Sequence, residues 1–307
     1  MKPQVLVTGA SGFLGRHVVA ALAAQGVKVR AVATRDNANN DLAEWHMVPS
    51  LTHAPWVELL RGITSVIYLA SASTPGSSAG RPTHEVTQHL FPLAELLQAL
   101  QVSPNIHLVY VSSAGSLYSP IDHHASTETD LIAPRSYHGA TKAAAEAFVG
   151  AWSAQFAGSA TVLRPSNIYG PGQPARRGFG VIPQAFLHML ESDPMEVWGD
   201  GSQTRDYIYV DDMVSLCLAA SLSPHRDGVH VVNAASGEST SLNALFDIME
   251  RVSGRALPRI YKPPRAVDAT HVAVDPSAAL RLYGWRAGVS LEQGIAATWQ
   301  WFRGRNA

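Results

Sequence analysis

Short apolar runs alternate with amphipathic stretches along the first 170 residues. QVLVTG (4–9) reads as a buried strand and GRHVVAALAAQG (15–26) as a helix that stops on Gly26. VKVRAVAT (27–34) is a second strand, APWVELLRG (54–62) a short helix and SVIYLASAS (65–73) a third strand. A long helix follows over EVTQHLFPLAELLQALQ (85–101), then a strand over IHLVYVSSAG (106–115). GATKAAAEAFVGAWSAQF (139–156) predicts another helix and SATVLRPSNIYG (159–170) a strand. Uninterrupted apolar strands alternating with helices imply βαβ units, hence a doubly wound α/β fold with a parallel sheet covered on both faces.

Beyond Gly170 the pattern loosens. GPGQPARRGFG (170–180) is a Gly/Pro loop, VIPQAFLHMLES (181–192) a helix, and MEVWGDGSQTRDYIYVDD (195–212) two short strands around a turn. The tail, from SLNALFDIMERVSG (241–254) to SLEQGIAATWQWFR (290–303), adds helices and a short strand. We divide the chain into a dinucleotide-type domain, 1–170, and a smaller α+β domain, 171–307. The boundary is soft, with later segments free to return to the large sheet.

At 307 residues and 46% hydrophobic, the chain can bury a large core. With 23 Lys+Arg against 24 Asp+Glu and no basic run, nucleic acid is not an expected partner. Cys217 is the only cysteine, which rules out an internal disulfide; its apolar surroundings read as packing. No apolar run approaches the roughly 18 residues that span a bilayer. The opening MKPQVLVTGASGF lacks a signal-peptide layout. A cytoplasmic protein is expected.

TGASGFLGRH sets Gly9, Gly12 and Gly15 between a strand and a helix. Glycine there allows a tight turn, close approach to a pyrophosphate and close helix–strand packing, and the helix start offers free N–H groups. Gly9, Ser11, Gly12, Phe13, Leu14, Gly15 and Arg16 are therefore candidate dinucleotide contacts. The second strand ends at Ala33, where an acid that binds the ribose of NAD would stand, followed by Thr34 and Arg35. A hydroxyl and a guanidinium suit a 2′-phosphate, so NADP is favoured and NAD remains possible.

Together these segments resemble the extended short-chain dehydrogenase/reductase family of nucleotide-sugar epimerases, dehydratases and 4-keto reductases, in particular UDP-glucose 4-epimerase-like proteins. VTGASGFLG, VIYLASAS, YVSSAGSLYS, RPSNIYGPGQ, WGDGSQTRDYIYVDDM, KPPRAVD and NAASGESTSLNALFDIMERVSGR carry the resemblance, in order, over nearly the full length. It implies an α/β enzyme that moves hydride at C4 of a nucleotide-linked hexose, and contacts from Leu69 and Ala70 to the dinucleotide. The alternatives are an NADPH-dependent reductase of 4-keto-sugar nucleotides, or a binding protein without turnover. It also implies a homodimer joined through the two long helices.

In that family a tyrosine acts as base four residues before a lysine that lowers its pKa, with a serine sharing the hydrogen bond. Lys142 matches the lysine, but the spacing from Tyr137 is five; His138 stands at four. On a helix, four steps bring side chains within about 40° of one another and five separate them by about 140°. Tyr137 shares a face with Lys142 only if it lies in a non-helical lead-in or a bulged first turn. His138 is a plausible general base in its place. The family's Ser/Thr position is Ala114, which leaves Ser113 as the candidate hydroxyl. At the substrate end, Asn167, Arg205 and Arg265 match residues that bind the diphosphate, and Asp268 an acid that binds the nucleotide ribose. His123 and His124 read as loop residues, and no His/Asp/Glu set shows metal-ligand spacing, so no metal is expected.

Overall fold

The computed structural model describes residues 3–35, 41–118, 124–175, 180–223, 227–264 and 271–306. Its centre is a seven-stranded parallel sheet: β1 (Gln4–Thr8), β2 (Lys28–Ala33), β3 (Glu44–Met47), β4 (Ser65–Tyr68), β5 (His107–Val111), β6 (Ala160–Pro165) and β10 (Val229–Ala234), in the order β10-β6-β5-β4-β1-β2-β3. The strands are apolar on both faces because both are covered. Val5 and Val7 of β1 enter one core with α1 (Phe13–Ala24) and α8 (Val210–Leu222). Leu6 enters the other, with the helices Phe91–Leu100 and Tyr137–Phe156. Alternate side chains of a strand point to opposite faces, so one strand serves two cores. Cys217 lies in the first core, where burial pushes its thiol up to about 12. The polar edge strand β3, absent from the apolar pattern, is tied on by Arg30, whose guanidinium donates to Glu44 at 3.1 and 3.3 Å.

A short helix α2 (Trp56–Leu59) precedes β4. The long helix expected over 85–101 is instead α3 (Pro82–Glu85), a π turn (Val86–Leu90) and α4 (Phe91–Leu100). Pro92 has no N–H for the carbonyl four residues back and crowds it, which favours a wider turn just upstream. A one-turn α5 (Ala114–Leu117) follows β5, and α6 runs from Tyr137 to Phe156. The apolar run 159–170 splits at Ser166: β6 stays in the large sheet, while β7 (Asn167–Tyr169) joins a second one. There β9 (Thr204–Tyr209) lies between β7, parallel, and β11 (Ser239–Ser241), antiparallel.

The two strands around the 199–203 turn do not pair with each other. β8 (Met195–Trp198) pairs with β12 (Arg259–Lys262) in a separate ribbon. The helices α7 (Val181–Glu191), α9 (Leu242–Ser253), α10 (Ser277–Tyr283) and α11 (Leu291–Asn306) complete the structure.

Candidate active site

Strand order reverses between β1 and β4, and the cleft beyond their carboxyl ends is where open α/β sheets bind ligands. The Gly9–Gly15 loop fills that position. Gly9 has φ +67°, and a Cβ there would press to 3.0 Å on the backbone of Ala70, with Leu69 beside it. A Cβ on Gly15 would run into the carbonyl of Gly9. The Gly12 N–H donates to the same carbonyl at 2.9 Å, closing the turn, and Gly12 caps α1. Such a cradle tolerates no side chain and leaves the first N–H groups of α1, on Phe13 to Gly15, for an anion. It fits a dinucleotide pyrophosphate. Ser11 and Leu14 are half-buried in the same segment, and Arg16, Thr34 and Arg35 are exposed.

Beside this loop, Lys142 of α6 is buried. Its Nζ donates to the carbonyl of Val111 at the end of β5, 2.8 Å away, and stands 5.0 Å over the Tyr110 ring. Burial pulls its ammonium down to about 8, against the carboxylates of Glu146 and Glu85, which hold it up. Neither exception that would bring Tyr137 to Lys142 is present. Ser136 caps α6 by accepting from the Gly139 N–H at 3.1 Å, and the helix is regular from Tyr137, its first residue. Tyr137 is 46% exposed and His138 8%. A Cβ at Gly139 would collide with the carbonyl of Ser116, so this first turn is pressed against α5.

His138 therefore takes the place next to Lys142, in a small cavity also lined by Tyr68, Ser73, Glu85, His89 and Tyr110. Burial, the Lys142 charge and His89 lower its imidazole to about 3. The unfolded ring binds a proton near 6.5, so this contribution to stability is complete above that pH and is lost as pH falls toward 3. The slope reaches about 1.4 kcal/mol per pH unit. Urea titrations from pH 7 to 4 should show wild type losing more stability than His138→Phe; parallel curves would contradict a neutral native ring.

Ser113 caps α5 and donates to Ser116 Oγ at 3.1 Å; it is half-buried. Ser112 is committed elsewhere, donating to Glu146 Oε1 at 2.5 Å. Asn167 and Arg205 lie on the second sheet, where Asn167 pairs in register with Tyr207, two residues from Arg205. Alternation then puts all three on one face. The Asn167 amide donates to the Asp206 carbonyl at 2.9 Å, and Arg205 Nη1 to the Thr204 carbonyl at 2.7 Å. Arg265, Asp268 and His123 lie outside the described residues; His124 pairs with Asp130 at 2.9 Å.

Sequence reasoning passed over Ser73, Glu85 and Glu146. None carries a motif, and each matters only through what the fold sets against it. It also found no metal-ligand spacing, yet His84, Glu85 and His89 each bring a ligand-capable atom within 4.8 Å of the others. The π turn makes this possible by closing a five-residue repeat. Among the described residues no helix is long and apolar enough to cross a membrane.

A family model described as "NAD dependent epimerase/dehydratase family" matches residues 5–235. The UDP-glucose 4-epimerase of Mycolicibacterium smegmatis is 28% identical, covering 99% of each chain. A crystal structure of the Thermotoga maritima UDP-glucose 4-epimerase with UDP-glucose superposes with a TM-score of 0.92 at 28% identity, covering 99% of this chain and 100% of that one. The Bacillus cereus UDP-glucuronic acid 4-epimerase, in complex with UDP-glucuronic acid and NAD, gives 0.89 at 25% identity over 98% and 99%.

Proposed function

As a member of the NAD dependent epimerase/dehydratase family, the chain is, we propose, an enzyme acting at C4 of a nucleotide-linked hexose, with 4-epimerisation of a UDP-sugar as its leading reaction. The observation that carries this reading is the full-length likeness, second domain included, to an epimerase holding UDP-glucose. We assign residues 1–170, with α8 and β10, to the dinucleotide domain and the rest of 171–307 to the substrate domain, the sugar nucleotide lying between the two and touching Asn167 from the first.

The N–H groups at the start of α1 hold the pyrophosphate, and the dinucleotide, when bound, supplies reversible oxidation at the sugar carbon. Lys142 places a positive charge beside the reacting hydroxyl, Ser113 offers it a hydrogen bond, and His138 receives its proton. Asn167, Arg205, Arg265 and Asp268 are assigned to the nucleotide diphosphate and ribose. The solved neighbour holds NAD; for this chain we favour NADP, because Ala33 offers no acid and Thr34 and Arg35 stand exposed at the strand end. Val86, Phe91 and Phe148 are exposed on the helices around 86–100 and on α6, which supports a homodimer paired through them. We expect it in the cytoplasm.

The test is product analysis by NMR after incubation with UDP-glucose, UDP-GlcNAc or a 4-keto sugar nucleotide, each with NAD(H) and NADP(H). Conversion of a UDP-hexose to its C4 epimer is expected. Reduction of the keto substrate alone would replace epimerisation by reductase chemistry. Tight binding without conversion in any combination would sink the enzyme reading for these substrates.

A further inference from the structure

Ser73 joins two buried groups. Its hydroxyl donates to Glu85 Oε2 at 2.9 Å, and its oxygen lies 2.9 Å from His138 Nδ1. Glu85 is 2% exposed, and its other oxygen faces His89 Nε2 at 4.0 Å.

Counting protons fixes the direction of this chain. A carboxylate only accepts, and a serine hydroxyl carries a single proton. Once Ser73 gives that proton to Glu85, the bond to His138 has to be donated by the ring, so Nδ1 carries hydrogen. A neutral imidazole has one N–H, which leaves the lone pair on Nε2. Among the described residues Nε2 has no hydrogen-bond partner.

From this juxtaposition we infer that Ser73 and Glu85 are positioning residues which hold His138 as the Nδ1–H tautomer, with Nε2 as the proton-accepting atom of the site. The inference rests on His138 being the base in the reading above and adds how the fold prepares it. In the proton half of the reaction the substrate O–H bond breaks and an N–H bond forms at Nε2. The O–H electron pair stays on the oxygen, and the ring becomes an imidazolium. Its new charge then sits at one end of a hydrogen-bonded chain that ends in a buried carboxylate, an orienting and charge-compensating arrangement. The Lys142 charge opposes it, and Glu85 offsets it through Ser73. The chain also explains why a polar Ser73–Glu85 pair is kept in so small a cavity: a buried carboxylate is costly unless it is hydrogen-bonded.

The experiment is ¹⁵N NMR of the histidine rings in ligand-free protein, which reads the tautomer of His138 with no substrate present; His138→Phe assigns the signal. Wild type should show Nδ1 protonated and Nε2 bare. Ser73→Ala should move the ring toward the Nε2–H form, and Ser73→Thr, which keeps a hydroxyl, should restore the original state. With an accepted substrate, Ser73→Ala should lower kcat roughly 10- to 100-fold, part of what general acid–base catalysis supplies. KM should change little, and Ser73→Thr should recover most of the loss. An Nε2–H ring in wild type, or a tautomer indifferent to Ser73→Ala, overturns the inference, and wild type alone decides it should a variant not fold. Absence of turnover on every substrate would count against the proposed reaction, while the tautomer would still decide the relay.

Discussion

Arg164→Met is expected to cost about 3–5 kcal/mol of folding stability, the usual penalty for leaving one partner of a buried ion pair alone. The Arg164 and Glu146 side chains are only 4% and 9% exposed. Arg164 grips the carboxylate three times, with Nη2 to Oε2 at 2.6 Å and Nε to both oxygens at 3.1 and 3.2 Å. Its Nη1 donates to the Tyr118 hydroxyl at 2.9 Å and the Glu128 carbonyl at 3.2 Å. The Tyr118 hydroxyl donates to Asn233 Oδ1 at 2.6 Å, and the Asn233 amide donates to the Ser126 and Asp275 carbonyls. One guanidinium thus ties together β6, α6, the end of α5 and, through Tyr118, β10.

Methionine fills the volume but leaves the buried Glu146 carboxylate without its ion-pair partner, with the Ser112 hydroxyl still donating to it. Arg164→Lys should lose less than methionine but still lose, since an ammonium lacks the planar fork. Glu146→Leu added to Arg164→Met should recover part of the loss, because an apolar pair removes the stranded charge. Urea unfolding midpoints with unchanged slope provide the measurement. A loss below about 1 kcal/mol would mean that the pair is solvated enough to behave as a surface bridge.

Much of the fold was legible because its cause is local. The strands β1, β2, β4, β5 and β6 are apolar runs bounded by turn residues, and the α1 loop announces itself by glycines whose spacing the backbone needs. What escaped notice depends on distant partners. β3 has no apolar signature and exists because Arg30 and the β2 edge receive it. The π turn follows from one proline whose consequence is felt four residues upstream. The split of the run 159–170 between two sheets has no mark in hydropathy at all. In the site, Lys142 and the anomaly before it could be read from spacing. That His138 is buried and Tyr137 is not could be stated only as a condition on the first turn of α6, since a one-residue change in where a helix starts rotates every later side chain by about 100°. Ser73 and Glu85 are 12 residues apart and meet through a turn that no periodicity describes.

The same geometry sets the sharpest kinetic contrast. Tyr137→Phe should leave kcat within about twofold, and His138→Phe should lower it by 10²–10⁴, the range that general acid–base catalysis contributes. The reason is angular. Ser136 fixes where α6 begins, so Tyr137 leaves the helix about 140° from Lys142 while His138 leaves it within about 40°. His138→Tyr then provides the informative third variant. It puts a phenol four residues before Lys142, whose ammonium favours the phenolate through proximity of opposite charge. That variant should keep measurable turnover, with a pH profile that no longer follows an imidazole, whereas phenylalanine at the same position has no proton to exchange. Loss of turnover in Tyr137→Phe with His138→Phe unaffected would require α6 to restart one residue later when ligands bind. The Gly139 contact with Ser116 opposes such a shift, because the first turn cannot rotate without driving a side chain into that carbonyl. Equal losses in both variants would instead point to a proton passed between neighbouring side chains, and the tautomer of His138 in ligand-free protein would then tell which end of that path is prepared in advance.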